Sequence, residues 1–350
     1  MLTRGGGVLP SLSRELPMRL QPGQTIAFHL SQCLGDSLLA MIVVHNLVRN
    51  GYRVEVFGDY LYSLKDWFPS FDIHPTVKPE QARDRLGRFD VLLHIYPRNV
   101  VDGCRDWHPR CLVMETWPSF RQVRNMVDIH LDLCEKELGL IDVVRGNGLT
   151  VPAGLTHRAC QRRVAIHPTA SIEQKMWLPG RFLSLAHRLR AQGFEPEMIV
   201  APHERDDWLH LQREHGIAVP LFASLDEVAK RLCESGWFIG NDSGLAHLAS
   251  NMGVPAVSLM VRNRIARRWR PGWAPSVAVL PLPVLPGRFA KDRLWRYLLP
   301  VSRVQRAFEA LQAMQARLSP VPPLAGVSSS SSSSSPASLP SHDRSDSLVT

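Results

Sequence analysis

Short apolar runs of strand length alternate with amphipathic stretches along this chain, and this alternation constrains its fold more than any other feature. In the first half, strand-like runs at residues 25–30 and 54–57 flank a helical pattern at residues 38–50. After a stretch rich in glycine and proline at residues 146–163, the alternation restarts at residues 164–167. Such alternation is typical of strand–helix–strand units. The sequence therefore predicts an α/β fold with two doubly wound parallel sheets, whose carboxyl-edge loops face a cleft.

Length and local composition predict the domain boundaries. A chain of 350 residues exceeds one ordinary hydrophobic core, so two domains are expected. We expect a flexible leader at residues 1–22, an N-terminal domain at residues 23–150 and a C-terminal domain at residues 151–318. Residues 319–350 contain a run of eight serines and several prolines, and this composition predicts a disordered tail.

Composition excludes several classes of protein. Hydrophobic residues make up 45% and charged residues 21% of the chain, which is ordinary for a globular protein. We find no apolar run near the roughly 18 residues that span a bilayer and no continuous apolar centre of a secretory signal. The six cysteines form no CxxC pair, so we expect buried thiols rather than a metal knuckle. The sequence predicts a cytoplasmic protein, and its net charge of +9 favours an anionic partner.

The segment at residues 238–260 is the most informative. Asp242, Ser243 and Gly244 follow a predicted strand and open a predicted helix, whose free N–H groups and partial positive charge suit a phosphate. His247 lies one turn later on the same face as Ser243, so it can reach the same phosphate. A simpler interpretation is that Asp242 only caps the helix and His247 forms a hydrogen bond in the interior.

A second segment, at residues 167–182, offers hydroxyl groups and a cation at a strand end. Thr169, Ser171 and Lys175 precede a predicted helix, and together they can hold a diphosphate. The alternative is that Lys175 is an ordinary solvated lysine and that Trp177 with Phe182 fastens the helix to the sheet.

A third segment places an acid in the first turn of the N-terminal domain. Asp36 follows the first predicted strand and faces the cleft, and a carboxylate with an ordinary pKa of about 3.9 can accept a proton at pH 7. It is the best candidate for a general base, although Asp36 or Ser37 can equally cap the next helix. The five arginines of residues 262–270 suit either a solvated basic loop or a phosphate clamp.

The three segments together resemble a known family. Residues 238–250, FIGNDSGLAHLAS, are similar to the donor-site signature D-[ST]-G-x-x-H of glycosyltransferase family 9, the ADP-heptose:lipopolysaccharide heptosyltransferases. Residues 167–182, HPTASIEQKMWLPGRF, resemble the small-residue turn and K-x-W element of that family, and LGDSLLAMIVVHNL resembles its G-D turn. The segments occur in the family's order.

The resemblance implies a GT-B fold and an inverting, metal-independent sugar transfer. Asp36 would be the base, Asp242 would hold sugar hydroxyls, and Glu204 would lie where the family binds the ribose. The residues that would meet or approach the donor phosphates are Thr169, Lys175, Ser243, Gly244 and His247. No metal site and no cofactor are expected, because we find neither a DxD turn nor an HExxH helix and the nucleotide sugar is a substrate.

We therefore expect a glycosyltransferase that moves a sugar, heptose from ADP-heptose, to lipopolysaccharide or a related anionic glycan at the inner face of the inner membrane. One alternative is a catalytically silent relative that binds a nucleotide or glycan, and another is a nucleotide-sugar epimerase or hydrolase. Nucleic acid is not an expected partner, since we find no RNP, zinc-finger or helix-turn-helix signature.

Overall fold

The computed structural model describes residues 20–99, 101, 103–283 and 294–318. Most of the predicted leader and all of the predicted tail at residues 319–350 lie outside the described residues.

The first half of the chain forms a five-stranded parallel sheet. Its strand order is β3-β2-β1-β4-β5, so the chain reverses direction across the sheet between β1 and β4. At such a switch point the loops that follow neighbouring strands diverge and leave a crevice. The five strands are β1 (Thr25–His29), β2 (Arg53–Phe57), β3 (Asp72–His74), β4 (Val91–His94) and β5 (Cys111–Val113).

One long helix covers one face of this sheet, and shorter helices surround the rest. The longest, α1 (Leu34–Arg49), ends before Gly51, which has a φ of 83°. Most of α1 is buried, because it packs against its own sheet and against the second half of the chain. The shorter helices are α2 (Asp59–Ser63), α3 (Ala82–Leu86), α4 (Cys104–Trp107) and α5 (Met126–Asp132), and α5 continues into a π-helical turn at Leu133–Glu137.

The second half forms another five-stranded parallel sheet, in the order β10-β9-β8-β6-β7. Its switch point lies between β6 and β8, again beside the loops at the carboxyl edge. The strands are β6 (Cys160–His167), β7 (Glu195–Met198), β8 (Ser235–Asn241), β9 (Ala256–Leu259) and β10 (Ser276–Val279).

Several helices accompany the second sheet. Pro179 occupies the first position of α6, where a missing N–H costs nothing, and the Ser224 hydroxyl caps α8 by accepting from the N–H of Glu227. The last helix packs on α6, β9 and β10, so it belongs to the second sheet. The helices are α6 (Pro179–Ala191), α7 (Arg205–His215), α8 (Leu225–Glu234), α9 (Gly244–Asn251), α10 (Asn263–Trp269) and α11 (Val301–Leu318). Among the described residues, none of the helices is both long and apolar enough to cross a membrane.

The two halves are joined through helices. Helix α1 of the first half packs directly against α9 of the second, and one apolar cluster contains residues from both sheets, such as Phe28 and Phe238. The predicted fold class, two Rossmann-like doubly wound sheets, is confirmed. The boundary at residue 150 falls in the connection between the sheets and stays a prediction.

Several element predictions were wrong in detail. Helix α1 begins at Leu34 rather than at residue 38, so Asp36 lies in a helical turn and not in a loop. Residues 119–138 form separate helical elements rather than one continuous helix, because Asn125 starts a new helix by accepting from the N–H of Val127. The arginine-rich segment forms α10 rather than a loop. The short strands β3 and β10 were not predicted.

Candidate active site

The start of α9 presents unsatisfied polar groups in a buried position. Ser243 is the N-cap residue with extended backbone, and its hydroxyl does not cap its own helix. Its Oγ and the Nδ1 of His247 are buried and have no hydrogen-bond partner in the part of the chain that the structure describes. Buried polar atoms without a partner are costly, so this helix N-terminus suits a ligand that satisfies them.

Asn241, the last residue of β8, holds the loop that carries Lys175. Its side chain is fully buried, donates to the carbonyl of Pro168 at 2.7 Å and accepts from the N–H of Trp177 at 3.0 Å. The loop is thereby fixed over the beginning of α9. The Nζ of Lys175 lies 2.9 Å from a carboxylate oxygen of Asp242, which places a cation beside the helix N-terminus.

Thr169 and Glu204 interact with each other across the ends of β6 and β7. The Thr169 hydroxyl donates to Glu204 Oε2 at 3.0 Å, and the same oxygen accepts from the N–H of Ala201 at 3.0 Å. The structure therefore brings together two residues predicted to bind different parts of a donor, and both lie at the carboxyl edge of the sheet. Ser171 is exposed in the same loop.

On the opposite domain, Asp36 is held by two hydroxyl groups. Tyr96 donates to its Oδ1 at 3.0 Å, and Ser31 donates a longer hydrogen bond of 3.4 Å to its Oδ2. Burial raises the pKa of Asp36 above its ordinary value, while the hydrogen bond from Tyr96 and the positive charge of Arg98 oppose that rise. A carboxylate with a raised pKa is a better proton acceptor than an exposed aspartate.

The two halves of the site meet at a pair of glycines. A Cβ on Gly35 would lie 3.0 Å from the His247 ring, and a Cβ on Gly244 would lie 2.8 Å from Leu34 Cβ. The positive charge of Lys175 is also close enough to lower the pKa of Asp36. Asp36 of one domain and the Lys175–Asp242 pair of the other therefore share one cleft.

His247, whose ring lies against Gly35 in this contact, is uncharged at neutral pH. It is 4% exposed, and burial lowers its pKa to about 4, although the charge of Asp242 opposes the shift. At neutral pH its ring can donate or accept one hydrogen bond but adds no positive charge.

The arginines of α10 are divided between two roles. Arg268 donates to the carbonyls of Phe120 and Gln122, so it ties α10 to the first half of the chain. Arg264 and Arg267, with Val123 and Asn263, line an open pocket of about 480 Å³. The interpretation as a solvated loop was wrong for Arg268, whose guanidinium is engaged in hydrogen bonds.

Sequence reasoning missed Tyr96, Arg98 and Asn241. The guanidinium of Arg98 lies 4.5 Å from the centre of the Tyr96 ring, and both residues follow β4. The only signal was their place after a strand, since the order of the strands decides that the end of β4 lies beside the end of β1 and therefore near Asp36.

Two facing Rossmann-like sheets, with a phosphate-type helix N-terminus and a lysine on one and a buried carboxylate on the other, form the arrangement of a GT-B glycosyltransferase. Comparison with protein families supports this class. The model of glycosyltransferase family 9 (heptosyltransferase) matches residues 122–281, which include the α9 segment and the Lys175 loop. The resemblance to glycosyltransferase family 9 is thereby confirmed, and the chain is a glycosyltransferase.

Solved structures of similar fold include three glycosyltransferases. A family 9 enzyme from Veillonella parvula has 17% identity and a TM-score of 0.65, over 85% of this chain and 99% of that one. E. coli ADP-heptose lipopolysaccharide heptosyltransferase II has 14% identity and a TM-score of 0.65, over 83% and 99%. E. coli heptosyltransferase WaaC with ADP has 13% identity and a TM-score of 0.58, over 82% and 99%. These similarities show the fold, and no curated protein matches the chain.

Proposed function

We propose that this glycosyltransferase transfers heptose from ADP-heptose to a hydroxyl of lipopolysaccharide or a related anionic surface glycan, with inversion and without a metal ion. The family match and the ADP-heptose-dependent heptosyltransferases of the same fold support this choice of donor. The nucleotide sugar is a substrate, so no cofactor is required.

The donor diphosphate would bind at the start of α9. The N–H groups of the first helical turn and the Ser243 hydroxyl can donate to it, and Lys175 adds the positive charge that a departing nucleoside diphosphate needs. His247 Nδ1 is a further polar atom at this place that needs a partner. We assign sugar hydroxyls to Asp242 and the ribose to Glu204, whose Oε2 is already oriented by Thr169.

Asp36 would act from the other side of the cleft. Its carboxylate takes the proton of the acceptor hydroxyl while the oxygen attacks the anomeric carbon, and the bond from that carbon to the diphosphate oxygen breaks. The electron pair of that bond leaves with the nucleoside diphosphate. The base and the phosphate-binding groups belong to opposite domains, so the acceptor oxygen would attack the anomeric carbon from the face opposite the leaving diphosphate. Such attack inverts the configuration of that carbon.

The acceptor would enter beside α10. Arg264 and Arg267 give the pocket there a positive charge, which suits an anionic glycan. Arg268, in the same helix as Arg264 and Arg267, links this pocket to the base. Its guanidinium lies 5.2 Å from the centre of the Phe120 ring, and that ring packs on Tyr96 with 5.8 Å between ring centres. Tyr96 in turn donates to Asp36. A net charge of +9 would attract the protein from the cytoplasm to an anionic inner membrane surface as a peripheral protein.

One observation carries the proposal: Lys175, which pairs with Asp242 in one domain, is close enough to the buried Asp36 of the other domain for its charge to lower the pKa of that carboxyl. The arrangement supplies a proton acceptor and a leaving-group cation on opposite sides of one cleft, as inverting transfer requires.

The test separates catalysis from binding. Asp36→Asn keeps the size of the side chain, so we expect kcat with ADP-heptose and lipopolysaccharide acceptor to fall about 100-fold or more while ADP affinity changes little. Lys175→Ala should instead weaken ADP binding about tenfold, measured by titration calorimetry. Asp84→Asn, which makes the same change at an exposed carboxylate of α3, is the matched control.

Full turnover by Asp36→Asn would overturn the assignment of the base. A thermal shift with UDP or GDP sugars, but not with ADP-heptose, would overturn the assignment of the donor.

A further inference from the structure

A cluster of sulfur and imidazole ligands lies on the face of the first sheet that α1 does not cover. His94 is the last residue of β4, Cys111 is the first residue of β5, and Cys104 is the first residue of α4. One nitrogen of His94 and the two sulfur atoms all lie within 4.8 Å of one another. His94 and Cys104 are fully buried, and Cys111 is half-buried.

The fold brings these residues together although they come from three elements. Strands β4 and β5 are neighbours with Leu92 opposite Cys111, and alternation places the side chains of Leu92 and His94 on the same face. Helix α4 covers that face and directs Cys104 towards Cys111, with 2.8 Å between the two sulfur atoms. The remaining residues of this face are mainly apolar, among them Ala27, Phe57, Val77, Leu86, Phe89 and Val101.

We propose that His94, Cys104 and Cys111 bind a zinc ion that holds α4 to the ends of β4 and β5. Two cysteine sulfurs and an imidazole nitrogen are ligands that zinc prefers, at about 2.3 Å and 2.0–2.1 Å respectively. Tetrahedral geometry at that Zn–S length requires the sulfurs to separate to about 3.8 Å, a movement of about 1 Å at the ends of the two cysteine side chains.

Binding of the ion would change the protonation of the cluster. In the absence of a cation, the sulfur atoms of Cys104 and Cys111 lie 2.8 Å apart. Zinc takes the place of the two thiol protons, which are released to solvent. Affinity for the ion therefore rises with pH.

The proposed zinc site is not part of the cleft that contains Asp36, but zinc binding would affect a residue of that cleft. Tyr96, which donates to Asp36, is only two residues beyond His94. An ion that fixes the end of β4 would hold the Tyr96 hydroxyl in its position, so the metal acts as a structural clamp.

The experiment measures metal and thiols in the full-length protein. We expect purified protein supplied with zinc to hold about one ion per chain by atomic emission spectrometry, and cobalt substitution to give the absorption bands of a tetrahedral thiolate site. Cys104→Ala and Cys111→Ala should each abolish those bands and the bound zinc. Cys134→Ala removes another buried cysteine and should leave both unchanged.

If an alanine variant does not fold, a count of free thiols in the wild-type protein still tests the proposal. After denaturation in a chelator, the wild-type protein should show all six cysteines as thiols. A count of four, with Cys104 and Cys111 joined in a disulfide, would overturn the proposal. Zinc that is absent from the wild type, or retained by both alanine variants, would overturn it as well.

Discussion

At the scale of single residues, the most informative feature is the buried carboxylate of Asp36. A buried aspartate is unfavourable when ionised, and here a tyrosine hydroxyl, a serine hydroxyl and a nearby arginine charge partly compensate for the loss of water. Natural proteins accept such unfavourable groups mainly where function requires them. The surroundings of Asp36 are therefore those expected of a group that must accept a proton.

Tyr96→Phe tests how the tyrosine tunes this acid. The hydrogen bond from Tyr96 favours the ionised form, so its loss raises the pKa of Asp36 further. Because the base works only when ionised, the acidic limb of the profile of kcat/KM against pH should move to higher pH. The profile of Tyr60→Phe, in which the exposed hydroxyl of α2 is lost, should match the wild type. A profile unmoved by Tyr96→Phe would show that the hydroxyl does not tune the base.

Sequence alone could identify one half of this site better than the other. Asp242 and Ser243 lie together in one strand–turn–helix motif, and Lys175 lies in a second motif of this kind, so each motif fixes its own residues locally. Tyr96 and Arg98 lie 60 or more residues from Asp36, and they reach it only because β4 lies beside β1. Such a meeting depends on the tertiary order of strands, which local patterns do not encode.

At the scale of elements, α1 and α9 approach each other closely where each helix has a glycine in its first turn. The Cβ that alanine would add to Gly244 falls 3.1 Å from the backbone nitrogen of Gly35, besides its clash with Leu34. The first turns of the two helices can therefore approach closely, and this approach brings Asp36 within range of Lys175.

Gly244→Ala tests the importance of this approach. We expect the two helices to separate by a few tenths of an ångström, with a loss of stability of about 1–3 kcal/mol and a larger relative loss of kcat than of ADP affinity. Urea unfolding and initial rates measure the two effects. Gly180→Ala introduces the same methyl group in the first turn of α6, where nothing lies within 4 Å, and should be tolerated. Equal kinetics for both variants would contradict this role of Gly244.

The elements themselves were mostly predictable, with errors at their ends. Helices α6, α8 and α11 follow their apolar periodicity closely, because each packs one stripe on a sheet. The start of α1 was placed four residues late, since LGDS is typical of a turn. It is helical because the buried Leu34 and Ser37 face the interior at that point. Strand β10 was missed because its four residues hold only alternating small and apolar side chains.

At the scale of the whole molecule, the connection between the sheets is anchored to both domains. The Asn147 side chain donates to the carbonyl of Leu38 in α1 and to the Asn251 side chain at the end of α9. Asn46 in α1 bonds both the N–H and the carbonyl of Val144. With the shared apolar cluster, these contacts couple the two domains.

We therefore expect both domains to unfold together. Circular dichroism and tryptophan fluorescence should give coincident urea transitions with one midpoint, although Trp67 lies in the first domain and Trp177 in the second. ADP at 100 times its Kd should stabilise the whole chain by about 2.7 kcal/mol and move both signals equally. Two separate transitions, or a shift of one signal alone, would show that the domains unfold independently.

The division of the cleft between two domains also bears on how such enzymes diversify. In the proposed function, the groups that would bind the leaving nucleotide lie on the C-terminal half, and Asp36, the proposed proton acceptor, lies with Tyr96 on the N-terminal half. The two sets of groups meet where the first turn of α1 contacts the first turn of α9. Loops elsewhere on the N-terminal half can then change over evolutionary time, and accept different glycans, without altering how the activated sugar is held. A chimaera that exchanges those loops between two such enzymes would inherit its donor from one parent and its acceptor from the other.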